Sequence, residues 1–490
     1  MNYFELLKLA APEAIVVLTA LAVLALGLTN PRRHSLGVAL AACGLALASS
    51  AVAFAPRAGA VPGGMLVLSP LNSLFKIVCL ALAFFTVLLV RGERSTFRNQ
   101  SEYLAMILLG TVGLLLLVGS EELLMIFIGL ELIGLSLYVL TAFDKTDRHS
   151  AEAGLKYFLF GSTASAFTLF GLSLIYGFAG TTALAGIAHS LGKNATVAPL
   201  LAAGVVMTLI GFAFKIAAAP FHLWAPDTYQ AAPIPSAAFI ASGSKVASFV
   251  VLGKIVLLAF GSAQGSAAWH GLLAGWSPLL AGLAACSIVL GNMVALVQKN
   301  VRRLLAYSAV AHAGYTLLGL IAGSREGFGA TLFYTTLYAF TLIGAFAVVG
   351  FVRRETGGDD LRNFAGLRAR SPLLAGCMAI FLLSLAGLPP LAGFFGKFYL
   401  FSAAFRAGEN HGLLWLVALA LFGSLVSLYY YLLVLKAIFA DDLTNSGRST
   451  SLGLAGSGFS KMVISLLAGI VLLLGFLPGL LVARILAALP

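Results

Sequence analysis

The segment FKIAAAPFHLWAPDTYQAAPIPSAAFIASGSK, at 214–245, constrains the architecture more than any other part of the chain. Apolar runs long enough to cross a bilayer lead into it and out of it. Pro220 removes a backbone donor and clashes with the preceding helical turn, so the helix must break there. Lys215 comes just before the break and Lys245 lies in the next apolar run. The segment therefore predicts a broken membrane helix with ionisable groups held inside.

A second break is predicted at AGLPPLAGFFGK, 386–397, where Pro389 and Pro390 split an apolar run that also contains Lys397. If the predicted spans are grouped as four to eight and nine to thirteen, each break falls on the fourth span of its group. An odd number of spans per group places the second group upside down in the membrane. The pattern is typical of inverted-repeat transporters, whose half-helix ends line a site near the bilayer midplane.

The amino-acid composition predicts the fold class. Of 490 residues, 60% are hydrophobic and 10% are charged, which is typical of a membrane protein. The apolar runs last about 20 residues, enough for a helix to cross the hydrocarbon layer. Strand-like alternation is absent, so we expect an all-α polytopic membrane protein of about fourteen transmembrane helices, with two inverted five-helix repeats and helices 7 and 12 broken.

The predicted spans lie near 13–29, 35–55, 71–92, 103–119, 122–143, 154–178, 197–219, 237–261, 275–298, 302–323, 328–352, 372–406, 411–440 and 462–486. Four regions follow from them. The N-terminal helices 1 to 3 occupy 1–101, and the first repeat, helices 4 to 8, occupies 102–262. The second, inverted repeat, helices 9 to 13, occupies 263–440. A C-terminal loop and helix 14 occupy 441–490.

The net charge of +12 follows the loops. One set of alternate loops holds Arg32, Arg33, Arg91, Arg94, Arg98, Lys145, Arg148, Lys156, Lys299, Arg302, Arg303, Arg353, Arg354, Arg362, Arg368, Arg370, Lys436, Arg448 and Lys461. The other set holds Arg57, Lys193, Arg325 and Arg406. By the positive-inside rule the basic side is cytoplasmic and both termini face outward, so a nucleic-acid partner is not indicated.

The chain is not expected to carry a cofactor or metal of its own. Cys43, Cys79, Cys286 and Cys377 are scattered one per span without the spacing of metal or cluster ligands, and they resemble small buried hydrophobes. No glycine-rich phosphate loop follows a strand.

Glu131 is the one acidic residue at the centre of a predicted span. Lys215 lies at a comparable depth and is the expected partner. A carboxylate close to an amine stabilises its protonated form. The two would therefore form a switch in which the lysine holds its proton when the pair is tight and releases it when the pair separates. The alternative is a static ion pair that joins two helices.

Lys245 has Ser242, Ser244 and Ser248 around it, and these side chains can solvate an ammonium group. Lys254 lies nine residues further on, which places it on the opposite face of the helix. We expect Lys245 to face the proton path and Lys254 to snorkel or to contact a neighbouring helix. A snorkelling anchor is the alternative for Lys245.

Lys397 is flanked by Gly393 and Gly396, which leave space beside the backbone, and it is expected to be a terminal proton donor or acceptor. His312 could carry protons between the two halves, because both of its protonation states are accessible near neutral pH. The alternative is a hydrogen-bonded packing residue.

Other polar residues are expected to be mainly structural. Packing and interfacial anchoring are expected for the tyrosines Tyr429, Tyr430 and Tyr431. His222 and Asp227 are expected to cap the first break or to line an access path.

Three segments resemble a known family: 214–245, QKNVRRLLAYSAVAHAGY at 298–315, and LAGLPPLAGFFGKF at 385–398. They are similar to the antiporter-like membrane subunits of respiratory complex I, and most closely to the subunit N family, over nearly the whole chain. Ser244 followed by Lys245 resembles subunit N more than subunits L and M. One mild departure is PIPS at 233–236, where the family more often has a threonine and a valine.

The resemblance implies a subunit of the membrane arm of an NADH:quinone oxidoreductase in a bacterial inner membrane. It implies Glu131, Lys215, Lys245 and Lys397 as proton-path residues. NADH, FMN, iron–sulfur clusters and quinone would be bound by partner subunits. Antiporter-like subunit M and the small subunit K would be neighbours, together with the lipid bilayer.

Two other readings remain open. The same residues could serve a cation/proton antiporter subunit or a stand-alone secondary transporter with sodium as the coupled ion. A purely structural scaffold is the third possibility. Hydropathy and spacing alone indicate only an ion-translocating membrane protein.

Overall fold

The computed structural model describes residues 8–29, 34–55, 59–93, 99–193, 199–407, 411–440 and 457–489. Within these ranges, twelve helices are long and apolar enough to cross a membrane. The protein is thus an all-α polytopic membrane protein, as the composition predicts. The two broken helices would raise the total to the fourteen that the sequence predicts, and that number stays a prediction.

The helices of the first half are α1 (Ala11–Thr29), α2 (His34–Phe54), α3 (Pro70–Val90), α4 (Gln100–Gly119), α5 (Leu123–Thr141), α6 (Arg148–Ala179), α7 (Leu184–Gly192), α8 (Pro199–Lys215), α9 (Trp224–Ala231) and α10 (Ile234–Ala259). A small antiparallel hairpin precedes α3. Its strands, β1 (Gly59–Ala60) and β2 (Val67–Leu68), have two residues each, and Gly59 pairs with Leu68.

The helices of the second half are α11 (Trp276–Leu296), α12 (Val301–Ile321), α13 (Arg325–Thr356), α14 (Leu367–Arg370), α15 (Pro372–Ala386), α16 (Ala392–Arg406), α17 (Leu414–Phe439), α18 (Ser457–Phe476) and α19 (Gly479–Ala488). The 32-residue helix α13 runs through the core, and its apolar window is entirely buried by other parts of the protein. In contrast, only a third of the corresponding window of α6, also 32 residues long, is buried.

Several helix ends are fixed by local sequence. The side chains of Ser69, Asp147, Asn300 and Ser324 each accept a backbone N–H in the first turn of the helix that follows. At the end of α15 Gly387 has φ +87°, a left-handed conformation that ends a helix at little steric cost to glycine. This glycine comes directly before the second proline break.

Both predicted breaks are present. The first separates α8, which ends at Lys215, from α9, which begins at Trp224. The Trp224 indole N–H donates to the Phe214 carbonyl over 3.0 Å, and the Ala219 N–H donates to Ser287 Oγ over 2.8 Å. Side chains therefore satisfy backbone groups that the break releases.

The structure differs from the prediction in three places. The last span, predicted as one helix at 462–486, is divided into α18 and α19, because Pro478 interrupts it. The short helix α7 was not predicted. In α10 the turns Ile240–Ser244 and Ile255–Ala259 are π-helical, so that Lys245–Lys254 is an α-helical segment between two wider turns.

Some predictions stay untested. The basic residues Arg32, Arg33, Arg57, Arg94, Arg98 and Arg448 lie outside the described residues. The four-region division and the inverted relation of the two repeats also stay predictions.

Candidate functional site

Lys215 is buried at the end of α8 against α5. Its Nζ donates to the Leu130 carbonyl over 3.2 Å and lies 5.9 Å from the centre of the Tyr138 ring. The lysine fits because α5 has a glycine at this level: a β-carbon on Gly134 would be 2.8 Å from the Lys215 Nζ. A backbone carbonyl and an aromatic face thus partly replace the water around the amine.

Glu131 is next to Leu130 on α5 and accepts a hydrogen bond from Ser165 of α6. Its charge acts on Lys215. Among the described residues, however, no ion pair within 4.0 Å joins the two side chains, so the direct pair expected from the sequence is not formed. The Ser165 hydroxyl holds the carboxylate instead, and the switch stays a prediction.

Lys245 lies in the core on the α12 side of α10. Its Nζ donates to the Ala309 carbonyl over 2.8 Å and is 5.6 Å from the centre of the Tyr338 ring. Lys254 points the other way, towards α3 and α4, as the helical period predicts. It does not snorkel: its side chain is 1% exposed and is bound by neighbouring helices.

His312 lies at the centre of a buried polar network on α12. Its Nδ1 is 2.5 Å from the Tyr334 hydroxyl, and its Nε2 is 3.0 Å from the Tyr431 hydroxyl. Tyr431 in turn contacts the Ser308 hydroxyl. The charges of Lys245 and Lys397 both act on the His312 ring. The histidine is therefore both hydrogen-bonded, as a packing residue would be, and placed to respond to the two lysines.

Lys397 is buried beside the second break. Its Nζ donates to the Ala386 carbonyl over 2.9 Å and to the Ser424 hydroxyl over 2.8 Å, and it is 5.2 Å from the centre of the Tyr315 ring. The lysine therefore satisfies a carbonyl that the break itself releases.

The space beside Lys397 comes from Gly387, where a β-carbon would be 2.9 Å from the Lys397 Cδ. Gly393 and Gly396, which the sequence suggested, instead allow close contact with the Ser384 carbonyl and the Tyr334 ring.

Two cavities that open to the surface lie beside the two helix breaks. One, of about 490 Å³, is lined by Lys397, Ser424, Arg406 and several phenylalanines. The other, of about 290 Å³, is lined by Asp227, Lys156 and Arg303 near the first break. Asp227 binds both cations, at 2.9 and 2.7 Å, so it joins α9 to α6 and α12.

His222 is buried, with its ring centre 6.3 Å from that of Tyr307.

The tyrosines whose rings lie beside the lysines were not predicted from the sequence. Each of the three central lysines has one backbone carbonyl acceptor and one tyrosine ring, supplied by Tyr138, Tyr338 and Tyr315. A spacing signal existed, because Tyr315 is three residues after His312 and Tyr338 is four residues after Tyr334. Tyr430 and Tyr431 are buried and hydrogen-bonded, whereas Tyr429 is exposed.

No group of three or more possible metal-binding side chains occurs in the part of the chain that the structure describes. Its four cysteines are free and lie on different helices.

The family model for the transmembrane region of NADH:quinone oxidoreductase and Mrp antiporters matches residues 120–427, which include all five candidate residues. NADH-quinone oxidoreductase subunit N 2 of Acidobacterium capsulatum is 44% identical over 494 residues and covers 98% of both chains. The chain belongs to the subunit N family. Subunit N of Desulforamulus reducens is 39% identical and covers 96% of this chain and 95% of its own.

Chains of two solved membrane complexes are similar to this chain over nearly its whole length. A chain of respiratory complex I from Thermus thermophilus with bound aureothin has a TM-score of 0.79 and 33% identity, and covers 96% of this chain and 98% of its own. A chain of the Mrp complex from Dietzia sp. has a TM-score of 0.83 at 20% identity, with 98% and 97% coverage, and shows the shared fold alone. The resemblance inferred from the three sequence segments is confirmed.

Proposed function

We propose that this subunit N family member translocates protons in the membrane arm of a proton-pumping NADH:quinone oxidoreductase, driven by redox chemistry in other subunits. The observation that carries the proposal is the repeated environment of Lys215, Lys245 and Lys397. Each amine is buried, bound to a backbone carbonyl and placed over a tyrosine ring. Buried amines are costly, so keeping three of them in similar sites favours charge movement over packing.

Each candidate residue has a distinct role. Glu131 sets the charge state of Lys215 by moving between Ser165 and the lysine. Lys245 and His312 pass protons between the halves, and Lys397 is the terminal donor or acceptor. The Tyr138 and Tyr338 hydroxyls have no hydrogen-bond partner among the described residues. Buried hydroxyls normally have one, so each marks a place where a proton-conducting water could bind.

The same proposal includes the partners and the location. NADH, FMN, iron–sulfur clusters and quinone belong to other subunits, and antiporter-like subunit M and the small subunit K side are the expected neighbours. The chain lies in a bacterial inner membrane with both termini on the periplasmic face. The distribution of basic loop residues supports this orientation.

The test uses Glu131→Gln and Lys215→Ala in the assembled complex. We expect both variants to assemble and to lose about tenfold or more of proton pumping and coupled quinone reduction, because each removes a proton carrier. Proton uptake by inverted membrane vesicles and NADH oxidation are measured together. Lys436→Ala, a lysine at the end of α17 outside the site, is the matched control. Normal pumping in both site variants would refute the proposal.

A cation/proton antiporter subunit is the second candidate, because the matching family model includes Mrp antiporters. Purification of the native assembly separates the two. Flavin, iron–sulfur clusters and NADH oxidation in the particle support the first proposal. Sodium–proton exchange by a particle without these cofactors supports the second.

A further inference from the structure

A second group of ionisable side chains lies between α1, α3, α4 and α10, away from the central lysines. Lys76 Nζ is 2.6 Å from Glu13 Oε1, and Lys254 Nζ is 3.8 Å from Glu121 Oε1. Glu13, Lys76 and Lys254 are buried, whereas the Glu121 side chain is 33% exposed. Two amines and two carboxylates thus form a cluster that reaches the surface at one residue.

The two amines converge on the end of α4. Lys254 donates to the Val118 carbonyl over 2.8 Å and to Asn72 Oδ1 over 2.5 Å. Lys76 passes the same end of the helix, because a β-carbon on Gly119 would be 2.7 Å from its Cε. The charges of Lys76 and Glu121 both act on Lys254. The four groups are therefore electrostatically linked, and a proton gained or lost by one affects the others.

The cluster meets a surface-open cavity of about 520 Å³. Glu121 and Lys254 line it, together with Ser69, Arg325 and Phe328. Arg325 is bound to the Leu486 and Leu489 carbonyls, both at 2.9 Å, so its charge faces the C-terminal helix. The cavity lies at the ends of α3, α4 and α10 that the basic-residue distribution assigns to the outside.

The cluster is separate from the central site. Lys254 is nine residues from Lys245 on α10, about 13 Å along the helix axis, and faces the opposite side. The central lysines lie beside carbonyls of α5, α12 and α15, whereas Lys254 lies beside α3 and α4. A proton that left the centre by way of Lys254 would thus reach the outer surface through residues outside the central site.

We propose that Glu121 and Lys254, with Lys76 and Glu13 behind them, form an outer proton-release site of this subunit, separate from the cavity beside Lys397. This inference rests on the proposed function. The N–H bond of the Lys254 ammonium breaks and its proton joins the Glu121 carboxylate, which passes it to water in the cavity. The neutral amine then takes a proton that arrives from the centre. Lys76 and Glu13 keep the buried charge balanced while this occurs.

The test compares Glu121→Gln and Lys254→Gln in the assembled complex with a matched control, Glu326→Gln. Glu326 is an exposed carboxylate in the first turn of α13, next to Arg325, and lines a different cavity. NADH-driven proton uptake is measured in inverted vesicles, whose lumen corresponds to the outer face, at a series of lumenal pH values. We expect each cluster variant to lower proton uptake about fivefold, because each removes a proton carrier, and the control to behave as the parent protein.

The dependence on lumenal pH separates proton release from a structural role. In the parent protein we expect the pumping rate to fall as the lumen is acidified. In Glu121→Gln we expect this dependence on lumenal pH to be lost, whereas a merely structural defect would lower the rate equally at every pH. Glu121→Gln leaves the bonds of Lys254 to Asn72 and Val118 in place, so it decides the question even if Lys254→Gln prevents assembly.

Parent-like rates and pH dependence in Glu121→Gln overturn the release site, and so does an equal loss at every lumenal pH. If Lys215→Ala abolishes pumping in the same preparation, the proposed function survives that failure. If Lys215→Ala and Glu131→Gln both pump normally, the proposed function itself has failed.

Discussion

Lys215 and Lys397 each lie beside a helix break but differ in their neighbours. Lys215 has the carboxylate of Glu131 close enough to act on it, held by Ser165. Lys397 has only neutral partners within hydrogen-bond distance: the Ala386 carbonyl and the Ser424 hydroxyl. The first lysine can therefore be stabilised in its charged form from within the chain. The second, among the described residues, has no such group and depends on its surroundings to keep or lose its proton.

This difference suggests a division of labour. A lysine with a movable carboxylate suits the start of a transfer, because the partner decides when its proton leaves. A lysine with neutral partners beside a surface-open cavity suits the end, because nothing in its immediate shell retains the proton. Two substitutions test this division, and a third tests the connection between the two halves.

The largest effect is expected from Ser424→Asp, which gives Lys397 the carboxylate that only Lys215 now has. An ion pair at this position, where Ser424 Oγ is 2.8 Å from Nζ, would stabilise the charged amine and slow its deprotonation. A charged hydrogen bond of about 1.5–3 kcal/mol corresponds to a decrease of about tenfold or more in coupled turnover. Ser424→Asn, of the same size without the charge, is the control. Equal turnover in both variants would contradict the comparison.

A smaller effect is expected from Ser165→Ala, which removes the hydroxyl that holds Glu131 away from Lys215. The freed carboxylate should pair with the lysine and retain its proton. We expect coupled turnover to fall about threefold. The hydrogen bond from Ser165 to Glu131 is lost, but the new pair of Glu131 with Lys215 replaces part of its free energy.

Ser165→Thr keeps the hydroxyl and should behave as the parent protein. Pumping is measured with quinone reduction in the assembled complex. Faster turnover in Ser165→Ala would mean that the separated arrangement is not the productive one.

The smallest effect is expected from Tyr334→Phe, which removes the hydroxyl 2.5 Å from His312 Nδ1 and leaves the aromatic ring in place. A neutral hydrogen bond contributes about 1 kcal/mol, so we expect about a twofold to fivefold loss of pumping. Phe333→Leu, at the neighbouring buried position on α13, controls for packing. If Tyr334→Phe pumps normally, His312 is a packing residue and the two halves are linked by another route.

Much of the fold followed from the sequence because lipid imposes strong constraints. Apolar length predicted the helices, and Pro220, Pro389 and Pro390 predicted both breaks. The division of the last span at Pro478 was missed, since a single proline in an apolar run was read as part of one helix.

The site was predictable only in part. An ionisable residue in an apolar run is visible in sequence, so all five candidates could be named from it, and their roles stay predictions. Their partners were not, because backbone carbonyls and tyrosine rings come from helices distant in sequence, as with Lys245 and Ala309. Lys76 and its contact with Glu13 were missed for the same reason, since each lies near a helix end and only packing makes them neighbours.

The two π-helical turns of α10 have a mechanical consequence. Each holds more residues per turn than its α-helical surroundings, so the ten residues from Lys245 to Lys254 are joined to the rest of the helix by surplus backbone at both ends. If one π-helical turn lost its extra residue and the other gained one, this segment would move about 1.5 Å along the helix axis and rotate by about 100°. Lys245 and Lys254 would then leave the Ala309 and Val118 carbonyls together, which would couple the middle of the membrane to its outer boundary through a single rigid piece of helix.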